Sequence, residues 1–479
     1  MAAAREVNNN VTKETVKTVP GDGKYDIICV GFGPAALAIA IALRENRPIL
    51  GNKKVLFLEK QSKFGWHTGM LLPGSKMQIS FMKDLATMRN PQSHFTFTNY
   101  LHHKGRLSHF INLSTHTPFR EEFNDYMKWC ASHFNEWVQY NQEVLSVKGV
   151  APGTQAIGVE QFVVATRDVL SGQKWNLSAK HVIVATGGEV AIPDSVKTSV
   201  RLTGEAQVIH SAQYMNTIDR KLPNKAASYR VAVIGGGQSA VEICEEVQAR
   251  YPNASVSLIF RDSALRPSDD SPFVNEIFDP ESVDEFFSLD SPSRKQFLIK
   301  NKATNYSVVR LHLIESLYEK LYAQKLLKPN PQDWSLFVVP NREVCGIDEV
   351  AREEASSDRP GKALYLRLKD MKTGQIRRTN DSYDLVVFAT GYQRNPLNGI
   401  LKDLKPLVES TPGDLVQRNY RLRFQPGAVR RDAGVWLQGS CEGTHGISDS
   451  LLSILAVRSG EIIDSIFGVE KPVEVRAKL

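Results

Sequence analysis

No stretch of the 479 residues stays apolar long enough to cross a membrane. The longest run, Pro34 to Leu43, ends at Arg44, well short of the roughly 20 residues a bilayer demands. Cysteine is scarce: Cys29, Cys130, Cys244, Cys345 and Cys441 are five in all, odd in number and never spaced Cys-x-x-Cys. That argues against a disulfide framework and against a redox dithiol, and it fits a reducing, cytoplasmic compartment. The segment from Met1 to Gly23 is polar without an apolar centre, so it reads as a disordered arm and not as a signal peptide. Neither charge sign dominates. A net +7 suits a surface that receives anionic cofactors, and no aromatic-and-basic module points to nucleic acid. Metal-ligand spacing is absent too. His102, His103, His109 and His116 have no interleaved Cys or acid and read as solvated loop histidines. With 42% hydrophobic and 23% charged residues, the composition is that of a soluble globular chain of two or three domains, with no membrane partner. The final Ala477-Lys478-Leu479 is either a variant of the peroxisomal Ser-Lys-Leu tail or a chance tripeptide.

What the chain does have is a duplication. Tyr25-Asp-Ile-Ile-Cys-Val-Gly-Phe-Gly-Pro-Ala-Ala36 and Tyr229-Arg-Val-Ala-Val-Ile-Gly-Gly-Gly-Gln-Ser-Ala240 each close an apolar strand with a glycine turn and open a helix. Gly31 and Gly235 stand 204 residues apart, and so do Ala185 and Ala389, each in an Ala-Thr-Gly that ends another apolar strand. Two signals with one spacing imply two copies of one unit. Short continuous apolar strands among helix patterns imply parallel sheets covered on both faces. In such a turn, glycines let the backbone approach a pyrophosphate, and the helix N-terminus presents its positive end. Gly31, Gly33 and Ala36 would serve the first nucleotide; Gly236, Gly237, Gln238 and Ser239 would serve the second.

The residue after the second strand of each unit reads the ribose. Lys54-Val-Leu-Phe-Leu-Glu59 ends in a carboxylate that accepts from ribose hydroxyls and repels a 2′-phosphate, which suits FAD; the alternative is a solvated strand-end Glu. Ser255-Val-Ser-Leu-Ile-Phe-Arg261 ends in a guanidinium that matches a 2′-phosphate, which suits NADPH over NADH; the alternative is an unliganded surface Arg. Phe64-Gly-Trp-His67 is apt to lie along an isoalloxazine ring, so Trp66 and His67 are flavin contacts. Lys83, in Ser80-Phe-Met-Lys-Asp-Leu85, reads equally as a snorkelling surface group or as a charge aimed at a ligand carboxylate.

With these features in place, six segments carry a resemblance. They are Gly31-Phe-Gly-Pro-Ala-Ala36, Met77-Gln-Ile-Ser-Phe-Met-Lys-Asp-Leu-Ala-Thr87, Pro118-Phe-Arg-Glu-Glu-Phe123, Phe260-Arg-Asp-Ser-Ala-Leu-Arg-Pro-Ser-Asp-Asp270, Pro272-Phe-Val-Asn-Glu-Ile-Phe278 and Thr444-His-Gly-Ile-Ser-Asp-Ser-Leu-Leu-Ser453. From about Tyr25 to Gly468 the chain resembles the flavin-dependent N-hydroxylating monooxygenases, in particular the fungal L-ornithine N5-monooxygenases that begin hydroxamate siderophore synthesis. The resemblance implies that Lys83 holds the substrate α-carboxylate, and that Asn275, Asn305 and Ser453 meet the amino acid. It implies that Gln78, Val144 and a helix start at Ser450, Leu451 and Leu452 meet FAD, and that Arg120 and Asn305 join the NADPH site. Capping of a helix or turn is the alternative for both asparagines. Oxygen would add at the flavin C4a atom and pass to the neutral side-chain amine of L-ornithine. The quaternary state implied is a homotetramer. One generic flavin-monooxygenase pattern is not met: Leu202-Thr-Gly204 carries Leu for Phe and stands too far from His210 and Tyr214.

The expected fold is α/β, with two doubly wound Rossmann-like dinucleotide-binding domains, the second inserted into the first, and a small substrate-binding subdomain at their interface. Residues 1–24 are an arm and 25–207 begin the FAD domain. Residues 208–394 form the NADPH domain, with the substrate segment at about 270–310. Residues 395–470 complete the FAD domain and 471–479 form a tail. Glu353 to Lys362 reads as a surface loop. Lysine N6-hydroxylation is the nearest rival, since one methylene is worth only about 1–3 kcal/mol of discrimination. A disulfide reductase lacks its cysteine pair here, and a flavin sensor has no use for an amino-acid pocket.

Overall fold

The computed structural model describes residues 23–151, 158–197, 207–352, 361–409 and 415–469. Nearly all of the N-terminal arm, Leu202 to Gly204, most of the Glu353 to Lys362 loop and the tail with Ala477-Lys478-Leu479 lie outside the described residues.

The first unit starts with β1 (Lys24–Val30), whose Ile27, Ile28, Cys29 and Val30 are all buried. A strand buried on both faces has no polar alternation, and none occurs here. Helix α1 (Pro34–Glu45) follows at once, with Pro at its first turn and Gly33 as N-cap. Every residue from Ala36 to Leu43 is buried, so α1 is a core helix apolar all round. It lies between β1 and the C-terminal helix described below. Next come β2 (Val55–Leu58), α2 (Arg120–Ser132), the short β3 (Val138–Gln139) and a meander of β4 (Gln142–Val150), β5 (Gln161–Asp168) and β6 (Lys174–Val184). β1 runs parallel to β2 on one side and to β6 on the other. β4 and β5 extend the sheet antiparallel from β6.

The second unit is a fully parallel sheet built from β7 (Val208–His210), β8 (Arg230–Ile234), β9 (Ser255–Ile259), β10 (Leu336–Val339) and β11 (Leu385–Phe388), in the order β10-β9-β8-β11-β7. Helices α3 (Gln238–Arg250) and α4 (Leu311–Leu327) cover one face, where Val241, Cys244 and Leu317 join Val231, Val233 and Leu258. An antiparallel meander (Arg342–Val350, Ala363–Asp370, Ile376–Arg378) covers the other, where Val344, Ile347 and Leu366 meet Ala232, Val386 and Phe388. The chain then returns: β12 (Gly434–Leu437) pairs parallel with the end of β6, and α5 (Leu455–Phe467) packs on α1. The first domain is therefore closed by the end of the chain, with the second inserted.

The 204-residue repeat has a physical cause. In both units the Ala of Ala-Thr-Gly comes off the central strand's neighbour, and its carbonyl lies against the first glycine of the turn. The Ala185 N–H donates to Val30 O at 2.9 Å, and a Cβ on Gly31 (φ +91°) would stand 2.7 Å from Ala185 O. The Ala389 N–H donates to Ile234 O at 2.8 Å, and a Cβ on Gly235 (φ +142°) would overlap Ala389 O. Each glycine is needed because an alanine carbonyl fills the place of its side chain. Glycine and alanine are one device at two positions.

Candidate active site

A cleft of about 1980 Å³ opens between the second glycine turn and a wall of the first unit. A pocket for one drug-sized ligand measures about 300–1,000 Å³, so this cleft has room for more than one molecule. Gly236, Gly237, Gln238 and Ser239 at the start of α3, and Arg261 just beyond β9, form one wall. Trp66, His67, Gln78, Lys83 and Arg120 form the wall of the first unit, and Asn275, Asn305 and the run Ser450 to Ser453 close the space. Residues far apart in the chain thus meet as the resemblance implied. Five expected contacts are not on this wall. Gly31, Gly33 and Ala36 belong to the first turn beside it, Glu59 lies at the end of β2, and Val144 pairs with Thr166 inside the first sheet.

The first turn nonetheless fits an adenine dinucleotide. A Cβ at Gly33 would meet nothing within 4 Å, so the N-terminus of α1 is open to a pyrophosphate. Glu59 is only 7% exposed, which corrects the reading of a solvated strand end. Its two oxygens accept the N–H groups of Phe32 and Gln61, both at 2.8 Å. A carboxylate has about four lone-pair sites, so capacity remains for ribose hydroxyls. Arg261, by contrast, is 73% exposed, and among the described residues its ion-pair partner is Glu343 at 3.6 Å, which leaves guanidinium donors facing solvent.

The substrate side is assembled by turns held from beneath. Asp84, buried next to Lys83, accepts the N–H groups of Ala86 and Phe97 at 2.9 and 2.7 Å. Burial raises its pKa against these hydrogen bonds. That turn aims Lys83 at the cleft, where its Nζ pairs with Asp279 Oδ1 at 3.0 Å. Lys83 is therefore a charge at the site and not a snorkelling group. Asn275 stands at the N-cap of the 3-10 turn Glu276–Phe278 without a side-chain cap bond, and donates from Nδ2 to Asp270 O at 2.8 Å. Ser453 is 3% exposed, and its Oγ has no partner within the described residues. A buried, unpartnered hydroxyl at a cleft wall calls for a ligand. The segment before it is anchored by the buried pair Arg458 Nη1–Asp449 Oδ1 at 2.8 Å, from α5.

Several expectations need correcting. Ser450 to Leu452 is not a helix start: Ile447–Ser450 is a 3-10 turn and α5 begins at Leu455. The Phe64 ring faces the core, edge-on to Phe32, while only Trp66 and His67 of that run reach the cleft. Arg120 lines the cleft and gives Glu242 of α3 two donors, at 2.7 and 2.8 Å, with Met70 O 3.5 Å from Nη1, so it cross-links the two domains. His102, His103 and His109 sit on short helices; only His116 is in a loop, stacked on Phe81. Among the described residues no group of His, Cys, Asp and Glu could hold a metal.

Two features escaped the sequence reading. Arg310, at the N-cap of α4, donates from Nη2 to Gln78 O at 2.7 Å and from its main chain to Gln238 Oε1 at 2.9 Å, and it pairs with Asp270. The available signal was a cation at a helix N-terminus, where the dipole disfavours it unless it has another duty. Tyr306 donates to Glu442 Oε2 at 2.5 Å and lies 3.4 Å from Ser450 Oγ. Burial first, then the Glu442 contact, pushes its phenol up to about 12, so it stays a donor. Nothing in the spacing of positions 306 and 442 connects them.

His67 has left-handed backbone (φ 44°), and its ring lies between Trp66 and Tyr392. The ring is exposed to the cleft by surface area. Desolvation by the cleft walls around it, with Arg120 and Arg394 nearby, pushes the imidazole down to about 4.

Residues 23–394 match the family of L-lysine 6-monooxygenases and L-ornithine 5-monooxygenases. The L-ornithine N(5)-monooxygenase of Ajellomyces capsulatus is 59% identical over 462 residues, covering 95% of this chain and 93% of its own. The ornithine hydroxylase of Pseudomonas aeruginosa has the same fold at a TM-score of 0.81 and 36% identity, covering 93% of this chain and 99% of that one. The ornithine N-hydroxylase of Kutzneria sp. 744, solved with reduced FAD, NADP+ and L-ornithine, has a TM-score of 0.80 at 33% identity, covering 92% of this chain and 99% of its own.

Proposed function

The chain belongs to the L-lysine 6-monooxygenase/L-ornithine 5-monooxygenase family, and on that premise we propose that it hydroxylates the side-chain N5 of L-ornithine, using FAD, NADPH and O2. The observation that carries the reading is the convergence of Lys83, Asn275, Asn305 and Ser453 on one cleft that the second dinucleotide turn also lines. The 59% identity to an enzyme named for ornithine favours that substrate over lysine. The product is N5-hydroxyornithine, whose N–OH becomes a hydroxamate once acylated.

When bound, FAD supplies a hydride acceptor for NADPH and the activation of O2. The chain holds it by the turn Gly31 to Ala36, by Glu59 toward the ribose, and by Trp66, His67 and Ser450 to Leu452 at the cleft. NADPH would lie on Gly236 to Ser239 with its 2′-phosphate on Arg261. Lys83 takes the α-carboxylate, and the Ser453 hydroxyl gains the partner it lacks. The reacting amine must be neutral, although an alkylammonium has a pKa of about 10.4. Enclosure of the amine away from water disfavours its charged form. The walls supply positioning and the exclusion of water, which is where most of the catalysis lies.

The quaternary state that goes with this reading is a homotetramer. Leu311, Tyr318, Tyr322 and Leu326, an exposed stripe on one side of α4, suit a contact between copies; light scattering that returned a monomer mass would exclude it. A reducing, cytoplasmic address fits five cysteines that are all unpaired. The decisive assay is product detection with L-ornithine and L-lysine: N5-hydroxyornithine should dominate, and equal rates on both amines would sink the ornithine assignment.

A further inference from the structure

The cation assigned to the substrate carboxylate already has an anionic partner. Asp279 Oδ1 sits 3.0 Å from Lys83 Nζ, and the two side chains are 42% and 22% exposed. Asp279 ends the 3-10 turn Glu276–Phe278, in the segment whose Asn275 and Phe278 line the cleft. Asp279 does not itself line the cleft, but its carboxylate sits 3.0 Å from the lysine that does, beside the place of the amino acid's head.

We propose that Asp279 is a specificity-determining residue that, together with Lys83, recognises the zwitterionic head of the substrate: Lys83 takes the α-carboxylate and Asp279 the α-ammonium. This rests on the reading of the site as an amino-acid hydroxylase and deepens it. Lys83 alone would select for an anion and would repel the α-ammonium, which is carried on the same carbon as the carboxylate it binds. A carboxylate beside Lys83 cancels that repulsion. A lysine ammonium has three N–H donors, so one can remain on Asp279 while another meets the substrate. The pair is then a dipole matched to an α-amino acid. It penalises a diamine, which leaves Lys83 without its second anion, and an ω-amino acid lacking the α-ammonium, which leaves Asp279 unanswered.

The test compares L-ornithine with 5-aminopentanoate, which keeps the carboxylate and side-chain amine but lacks the α-ammonium. The analogue is used as a competitive inhibitor, so it need not turn over. In the wild type its Ki should exceed the KM of ornithine. In Asp279→Asn that ratio should fall about fivefold, the size expected of one partly exposed ion pair. Asp279→Glu, which keeps the charge, should retain the ratio; flavin content and melting temperature report folding of both variants. A ratio unchanged in Asp279→Asn overturns the proposal. So does a lower ornithine KM in that variant, which would make Asp279 a plug on Lys83. Failure of the wild type to make N5-hydroxyornithine would instead overturn the underlying reading of the site.

Discussion

The two dinucleotide units share one backbone device and differ in how they hold the residue that reads the ribose. In the first, Glu59 is 7% exposed and fixed by two main-chain N–H groups. In the second, Arg261 is 73% exposed, and among the described residues its ion-pair partner is Glu343 at 3.6 Å. On the proposed assignment the first reader is built before its ligand arrives, and the second is an arm whose place is set by the ligand. That would suit a cofactor that stays and a co-substrate that exchanges every turnover. A prebuilt site loses less entropy on binding and holds longer, whereas a mobile arm costs ordering but permits release.

The shared device should fail alike in both units yet produce different losses. Gly31→Ala would place a Cβ 2.7 Å from the Ala185 carbonyl oxygen, at φ +91°. Gly235→Ala would collide with the Ala389 carbonyl oxygen, at φ +142°. Strain plus overlap amounts to about 3 kcal/mol or more in each. Gly31→Ala should purify without FAD. Gly235→Ala should keep FAD but be reduced by NADPH very slowly, as stopped-flow measurement of the flavin absorbance would show. If both variants lost FAD equally, the units would not be separable and the comparison would break.

The readers should separate more gently. Glu59→Gln keeps the shape but leaves one of the two N–H groups facing an amide NH2, a cost of about 1–3 kcal/mol. It should lower the melting temperature and release FAD on dilution. Arg261→Ala removes an exposed side chain, so stability should stay within about 0.5 kcal/mol. Its NADPH KM should rise about tenfold, one charge-assisted pair's worth, with NADH unaffected. An equal rise for NADH would mean that Arg261 reads something other than the 2′-phosphate.

How much of this was legible in the sequence follows from which forces are local. The turns, strands and insertion could be read because glycine, an apolar strand and Ala-Thr-Gly are short-range signals, here repeated at one spacing. The two proposed ribose readers were sought by the same logic, one and two positions past a strand. What could not be read were pairings across the fold. Arg120 with Glu242, Lys83 with Asp279, and Tyr306 with Glu442 join residues 122, 196 and 136 positions apart. Arg120 is the instructive case. An arginine opening a helix near a nucleotide site reads as a phosphate ligand, and the fold alone shows that an acid on the other domain takes two of its donors.

Acid should act on the first unit more than on the second. Burial is the leading cause that lowers His181 in β6, His445 in the returning segment, His210 in β7 and His67 at the cleft, each to about 4. The unfolded chain protonates these rings near its ordinary value of about 6.5. Between about 6.5 and 4 the unfolded state therefore binds more protons than the folded one, and stability falls as the pH falls through that window. Above it, these groups contribute no slope. Three of the four rings lie in the first unit, His67 on its cleft wall, and one in the second. His445 is fully buried, its Nε2 donating to Arg418 O at 3.0 Å. His445→Gln should lower the melting temperature near neutral pH, yet flatten its decline between about pH 6 and 5 by roughly one histidine's share. His67→Gln should leave the neutral-range pH profile of hydroxylation unchanged, because an imidazole with a pKa of about 4 is already uncharged there. A new ionisation near neutrality, or one lost, in that variant would show that His67 titrates with the cleft and does not merely line it.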